Sequence, residues 1–79
     1  MILKRMGYDD TGRTVTYWTP NVESAVRLWD EAWQCYVIET HFKGGPIQGE
    51  RVLLDGKEGV YLCNDEGKTI EVLCRPAQQ

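Results

Sequence analysis

One amphipathic pattern constrains the fold of this chain more than any other feature. Apolar residues recur at three- and four-residue spacings between positions 21 and 34: Val22, Ala25, Val26, Trp29, Ala32 and Trp33. This spacing predicts a helix over 21–34 with one apolar stripe, and Asn21 is suited to cap its first turn. Two tryptophans on the stripe need a broad apolar surface, which in 79 residues must be a sheet built from most of the remaining chain.

The remainder of the chain alternates β-prone segments with turn signals. Residues 2–8 and 13–18 predict a hairpin around Asp9-Asp10-Thr11-Gly12, and 35–42 predicts a strand that follows the helix directly. The Gly/Pro-rich stretch 43–49 predicts a loop. We therefore expect an α+β fold, with a single helix packed on a mostly antiparallel five-stranded sheet in the order β-β-α-β-β-β.

The chain is expected to form one compact domain over 1–79, with 75–79 as a frayed tail. Apolar residues are consecutive at 52–54, 60–63 and 72–74, although a sheet covered on one face should alternate apolar and polar residues. Two explanations stay open. Either the sheet curls on itself into a half-barrel, or its second face meets another molecule.

Charge argues against one class of function. Twelve acidic and nine basic residues are interspersed and give a formal charge of −3, without the basic stripe of a nucleic-acid binder. We do not expect direct nucleic-acid binding. No stretch approaches the roughly 20 apolar residues of a membrane span, and no secretion signal is evident, so we expect a cytoplasmic protein with no membrane association.

The residues that could carry chemistry do not form a recognisable motif. Cys35, His41, Cys63 and Cys74 are potential zinc ligands, but none form the close pairs that structural zinc sites use. The cysteines lie within or beside apolar segments, where burial raises a thiol pKa and makes the nucleophilic thiolate scarce. We therefore expect neither an enzyme nor a cofactor or metal site.

Candidate partner-binding residues come from three places. Trp18 shares strand parity with Thr14 and Thr16, so it faces water if those threonines do, and exposed Trp is enriched at binding hot spots. The polar face of the predicted helix and the 43–49 loop are the other two surfaces. These two surfaces contribute Glu23, Arg27, Asp30, Glu31, Lys43 and Gln48.

These observations predict a non-catalytic protein-binding module whose partner is a protein or nucleoprotein complex. By size and composition alone, the chain is comparable to phage or mobile-element inhibitors of host complexes, including anti-CRISPR and other anti-defence proteins. The alternative is a small homodimeric accessory or regulatory protein that works beside nucleic-acid machinery, with the second sheet face as its dimer interface.

Overall fold

The chain is all-β. The computed structural model describes residues 1–52 and 58–75, and within these ranges it contains seven strands and no helix. The strands pair into two antiparallel sheets, one in the order β2-β1-β6-β7 and one in the order β3-β4-β5. The predicted α+β fold, with one helix on a five-stranded sheet, is therefore wrong. The strands are β1 (Ile2–Tyr8), β2 (Thr14–Thr19), β3 (Val22–Asp30), β4 (Cys35–Phe42), β5 (Ile47–Val52), β6 (Gly59–Cys63) and β7 (Thr69–Cys74).

The segment predicted as the helix 21–34 is instead β3 and the turn that leads into β4. The two strands form a hairpin that closes at the Asp30–Cys35 pair. The Asp30 side chain accepts a hydrogen bond from the Trp33 backbone N–H at 3.2 Å, and Gln34 adopts a left-handed φ of 52°. These features make 31–34 a tight turn without glycine, which the helical pattern concealed.

A second periodicity in the same segment accounts for the strand. Val26 and Leu28 alternate along β3 and lie on its outer face, while Ala25 is buried on the inner face. A helix would have placed Leu28 outside the apolar stripe. Because helices in proteins depend mainly on tertiary packing, pairing with β4 outweighs the helical spacing.

Asn21 does not cap a helix. It adopts a left-handed φ of 61° in the β2–β3 connection, a conformation that Asn tolerates better than most residues. Its carbonyl accepts the Lys43 N–H at 3.0 Å. The neighbouring Val22 exchanges hydrogen bonds with Met1, since its N–H donates to the Met1 carbonyl at 2.9 Å and its carbonyl accepts from the Met1 amino group at 2.8 Å. These bonds join the start of β1 to the second sheet.

The predicted loop 43–49 is shorter than its composition suggested. The turn occupies 43–46, with Gly44 at a φ of 62° and the Gly45 N–H donating to the Phe42 carbonyl at 3.2 Å. Residues from Ile47 onward pair with β4 as strand β5. By contrast, the strands predicted at 2–8 and 35–42 are confirmed.

The core lies between the two sheets, so the molecule is a β-sandwich and not a sheet curled into a half-barrel. Residues 60, 62 and 63 are buried within a single chain, so this apolar segment needs no second copy to cover it. Leu53 and Leu54 of the 52–54 segment, and residues 76–79 of the expected frayed tail, lie outside the described residues. The buried apolar cluster is Leu3, Val22, Ala25, Ile38, Val60, Leu62 and Leu73.

Candidate protein-binding site

An ion cluster lies between the sheets at the inner face of β1. Arg5 follows Leu3 by two residues, so both side chains lie on the face that is turned toward the second sheet. The Arg5 Nη2 atom donates to Glu58 at 2.8 Å and to the Arg51 carbonyl at 3.1 Å, while Nη1 pairs with Glu50. Burial lowers the pKa of Arg5, but the hydrogen bonds and charges of the two glutamates outweigh it and raise that pKa above its ordinary value.

A groove of about 440 Å³ surrounds this cluster. Its floor is the inner face of β1 and β2, and Glu50 of β5 lies across from it. Among the described residues, two carboxylates and one guanidinium give the cluster a formal charge of −1. The groove is therefore an acidic cleft with partly apolar walls, lined by Leu3, Arg5, Gly7, Tyr8, Tyr17, Thr19, Glu50 and Glu58.

Strand β2, which forms one side of the groove, is an edge strand. It pairs with β1 and with no other described strand. The Asp9 N–H donates to the Arg13 carbonyl at 2.9 Å, and hydrogen-bonded and non-bonded pairs alternate along an antiparallel ladder. The backbone groups of Val15, Tyr17 and Thr19 therefore point toward β1.

The backbone groups of the other residues of β2 point in the opposite direction. The N–H and C=O groups of Thr14, Thr16 and Trp18 point away from β1, and none of these six groups has a hydrogen-bond partner among residues 1–52 and 58–75. We call this side of β2 the open edge. It is a row of donors and acceptors of the kind that another extended segment can pair with.

Aromatic side chains flank the open edge. Trp18 lies on the outer face of the sheet, as do Thr14 and Thr16, and its side chain is 51% exposed. The Lys4 Nζ atom lies 5.2 Å from the centre of its ring. Tyr17, on the groove side, is 63% exposed. Sequence reasoning missed Tyr17 because strand parity indicates which way a side chain points and not whether another element covers it.

A second apolar surface lies on the outer face of the three-stranded sheet. Val26 and Leu28 of β3 are exposed there, and the half-buried Val37 of β4 lies opposite Leu28. Ile47 of β5 is exposed on the same face, but the Glu39–His41 pair of β4 lies between it and Val26. At one end of this face, the Arg51 guanidinium lies 3.6 Å from the centre of the Trp33 ring. We call this surface the outer apolar face.

The other predicted binding residues do not form one surface. Glu23 lies at the register shift of β3, and Arg27 and Asp30 lie on opposite faces of that strand because their spacing is odd. Asp30 and Glu31 take part in the 30–34 turn, where Glu31 accepts a bond from the Gln34 side chain. The predicted polar helix face is therefore wrong.

Lys43 and Gln48, predicted to belong to one loop, lie in different elements. Lys43 is exposed in the 43–46 turn, and its backbone N–H bonds to the β2–β3 connection. Gln48 is exposed on β5, opposite the buried Thr40. Trp29, expected in the core with Trp33, is 46% exposed and contacts Tyr36 edge to face at 4.9 Å between ring centres.

The four potential zinc ligands, Cys35, His41, Cys63 and Cys74, all lie within the described residues. No group of three or more His, Cys, Asp or Glu side chains among them is arranged to hold a metal ion. His41 Nε2 lies 2.8 Å from a Glu39 carboxylate oxygen, and Cys63 is fully buried. Burial raises the pKa of Cys74, which disfavours its thiolate.

Fold and site together define a small antiparallel β-sandwich with an open edge strand beside an acidic groove. No protein-family model, curated protein or solved structure matches this chain. Within the part of the chain that the structure describes, no helix is long and apolar enough to cross a membrane.

Proposed function

We propose that this protein is a non-catalytic protein-binding module that takes an extended segment of its partner as an additional strand on β2. The observation that carries this proposal is the open edge, where six backbone groups have no hydrogen-bond partner among the described residues. Strand addition uses such groups for affinity and uses the alternating side chains of the added strand for specificity.

Comparison with the other edge strands supports the choice of β2. Edge strands usually carry charges, prolines or bulges that prevent pairing with other chains. β3 carries Glu23, Arg27 and a register shift, β7 carries Glu71 and lies in an irregular register, and β5 carries Glu50 and Arg51. β2 has the sequence TVTYWT, with no charge and no proline, and its register with β1 is regular.

The groove explains how an added strand would be recognised. Side chains alternate along a strand, so every second residue of a segment paired with β2 would lie on the same face as Tyr17 and Thr19. Those two residues line the groove. Backbone pairing on the open edge and side-chain recognition in the groove are therefore adjacent.

A proline substitution tests this mode of binding. Thr16→Pro removes an N–H that points away from β1, so it should block strand addition while the β1–β2 hairpin is retained. Thr16→Val keeps the N–H and serves as the matched control. Peptides selected from a random seven-residue library against the wild-type protein should bind Thr16→Val and lose binding to Thr16→Pro by about tenfold or more. Equal binding to the two variants would refute strand addition on β2.

Self-association is the second candidate function, and the outer apolar face supports it. Exposed apolar side chains on neighbouring strands are typical of association surfaces, and here Val26 and Leu28 of β3 adjoin Val37 of β4. If two copies pair through this face, light scattering over a concentration series should give a mass near twice 9.1 kDa. Leu28→Lys should then return the mass to that of one chain, whereas a mass that stays at one chain at all concentrations would remove this candidate.

The narrower expectation of a phage-type inhibitor gains no support from the fold or from the comparisons with known proteins. For cellular location, we propose the cytoplasm. Three free thiols support this location, because unpaired cysteines are typical of reducing compartments.

A further inference from the structure

We infer that the segment bound on β2 carries lysine or arginine at the positions that enter the groove. This inference rests on the proposed strand addition and specifies the chemistry of the partner. It follows from the charge of the Arg5 cluster and from the aromatic rings beside it.

The charge of the cluster is unevenly distributed. Arg5 and Glu58 form the inner pair, with side chains 26% and 17% exposed, whereas the Glu50 side chain is 52% exposed. Only one oxygen of Glu50 bonds to Arg5, and its other oxygen has no hydrogen-bond partner among the described residues. The negative charge of the groove is therefore most accessible at Glu50.

The aromatic ring beside the groove also favours a cationic side chain in the bound segment. Trp18, Trp33 and Tyr36 each have a cationic side chain within 5.2 Å of the ring centre. Tyr17, the exposed ring on the groove side of β2, has no such cation among the described residues. A cationic side chain from an added strand could contact the face of a tyrosine and the Glu50 carboxylate in the same cleft.

A second copy of this chain fits the groove less well. If two β2 strands paired about Thr16, the residues directed into each groove would include Val15 and Tyr17 of the other copy, since opposed residues share a face. Neither side chain carries a charge. Arg13 of the other copy, the one cation of that face of 13–19, would lie opposite Thr19 at the end of the ladder and not opposite Tyr17, which pairs with Arg5. A basic segment of another protein is therefore the better match.

Three synthetic peptides of seven residues test the inference. Each alternates threonine with one guest residue, which is lysine, norleucine or glutamate, and each is titrated into the full chain while the amide resonances of β2 are followed by NMR. We expect the lysine peptide to bind about tenfold or more tightly than the norleucine peptide, and the glutamate peptide to bind most weakly. Added salt should reduce the preference for lysine.

Two variants test whether the preference for lysine depends on Glu50. Glu50→Gln should remove most of the difference in affinity between the lysine and norleucine peptides. Glu66→Gln removes the same charge from an exposed residue of the β6–β7 turn and should leave the difference intact. Dispersed amide spectra of both variants would show that each remains folded.

The outcomes separate this inference from the proposed function. If all three peptides bind the wild type equally and lose binding in Thr16→Pro, strand addition stands and the basic preference is refuted. If no peptide binds, or if binding is the same in Thr16→Pro and Thr16→Val, the proposed function fails and the inference fails with it. If the preference for lysine persists in Glu50→Gln, the assignment to this groove is overturned.

Discussion

Arg5 shows how one side chain can join parts of the chain that are distant in sequence. Its guanidinium bonds to Glu50 and Glu58, which lie 45 and 53 residues further along. Partly buried charges of this kind are costly to leave without a partner. The cluster therefore contributes to stability as well as to the charge of the groove.

Removing this cation should destabilise the fold. Arg5→Met keeps much of the apolar length of the side chain but leaves two glutamates without their partner, so we expect the free energy of unfolding to fall by about 1–3 kcal/mol at neutral pH. Urea denaturation at neutral pH measures this loss, with Glu66→Gln as the control, and an unchanged stability would contradict this role.

Replacing isoleucine with alanine should affect stability differently on the two faces of the three-stranded sheet. Ile38 is buried between the sheets, so Ile38→Ala should lower the free energy of unfolding by about 2–5 kcal/mol through lost packing and an unfilled cavity. Ile47 lies on the outer apolar face and is 60% exposed, so Ile47→Ala should cost about 0.5 kcal/mol or less in a single chain. Thermal and chemical denaturation of both variants test this, and equal losses would show that the outer face is covered.

At the scale of elements, the β1–β2 hairpin depends on its turn. The Asp9 carboxylate accepts hydrogen bonds from the Thr11 hydroxyl and from the backbone N–H groups of Thr11 and Arg13. These bonds, with the Thr11 hydroxyl first, hold the pKa of Asp9 below its ordinary value. A carboxyl whose pKa is lowered by folding stabilises the fold above its unfolded pKa, and that contribution is lost as the pH falls through the folded pKa.

The turn therefore predicts an acid-sensitive hairpin. NMR titration should show Asp9 with a pKa below the value of about 3.9 that is found in unstructured peptides. As the pH falls through this pKa, the β1–β2 amides should lose protection from exchange. Asp9→Ala should lower their protection at neutral pH and abolish this acid dependence. An Asp9 pKa at or above the unstructured value would contradict the hydrogen-bonded turn.

The hydrogen-bond pattern of β2 predicts how fast its amides exchange with solvent in the protein alone. The amides of Val15, Tyr17 and Thr19 donate to β1, so they should exchange slowly with solvent, while those of Thr14, Thr16 and Trp18 should exchange fast. Hydrogen exchange followed by NMR resolves the six amides individually. Uniform protection along β2 in a dilute sample would mean that the open edge is already paired.

At the scale of the whole molecule, the four-stranded sheet joins strands from the two ends of the chain. β1 pairs with β6, so residues near the start of the chain must meet residues about 60 positions later before this sheet can form. The first β1–β2 hairpin is local, but the sandwich is not. Such non-local pairing is entropically costly and slows folding.

This topology predicts slow refolding for so short a chain. We expect stopped-flow refolding in the range of milliseconds to seconds, followed by the fluorescence of Trp18, Trp29 and Trp33. Refolding on the microsecond scale, as in helical bundles, would contradict the paired arrangement of β1 and β6. Far-ultraviolet circular dichroism on the same samples would show whether the native signal is that of strands.

The sequence by itself determined the strands at 2–8 and 35–42 and the turn that carries Asp9, because β-prone residues and turn chemistry act locally. Tertiary structure decided the state of 21–34, since the same apolar residues fit a helical stripe or a strand, and only pairing with β4 selects the strand. It also decided the candidate site. The groove requires Arg5, Tyr17 and Glu50 to meet across two sheets, and no local pattern encodes a contact between residues 45 positions apart.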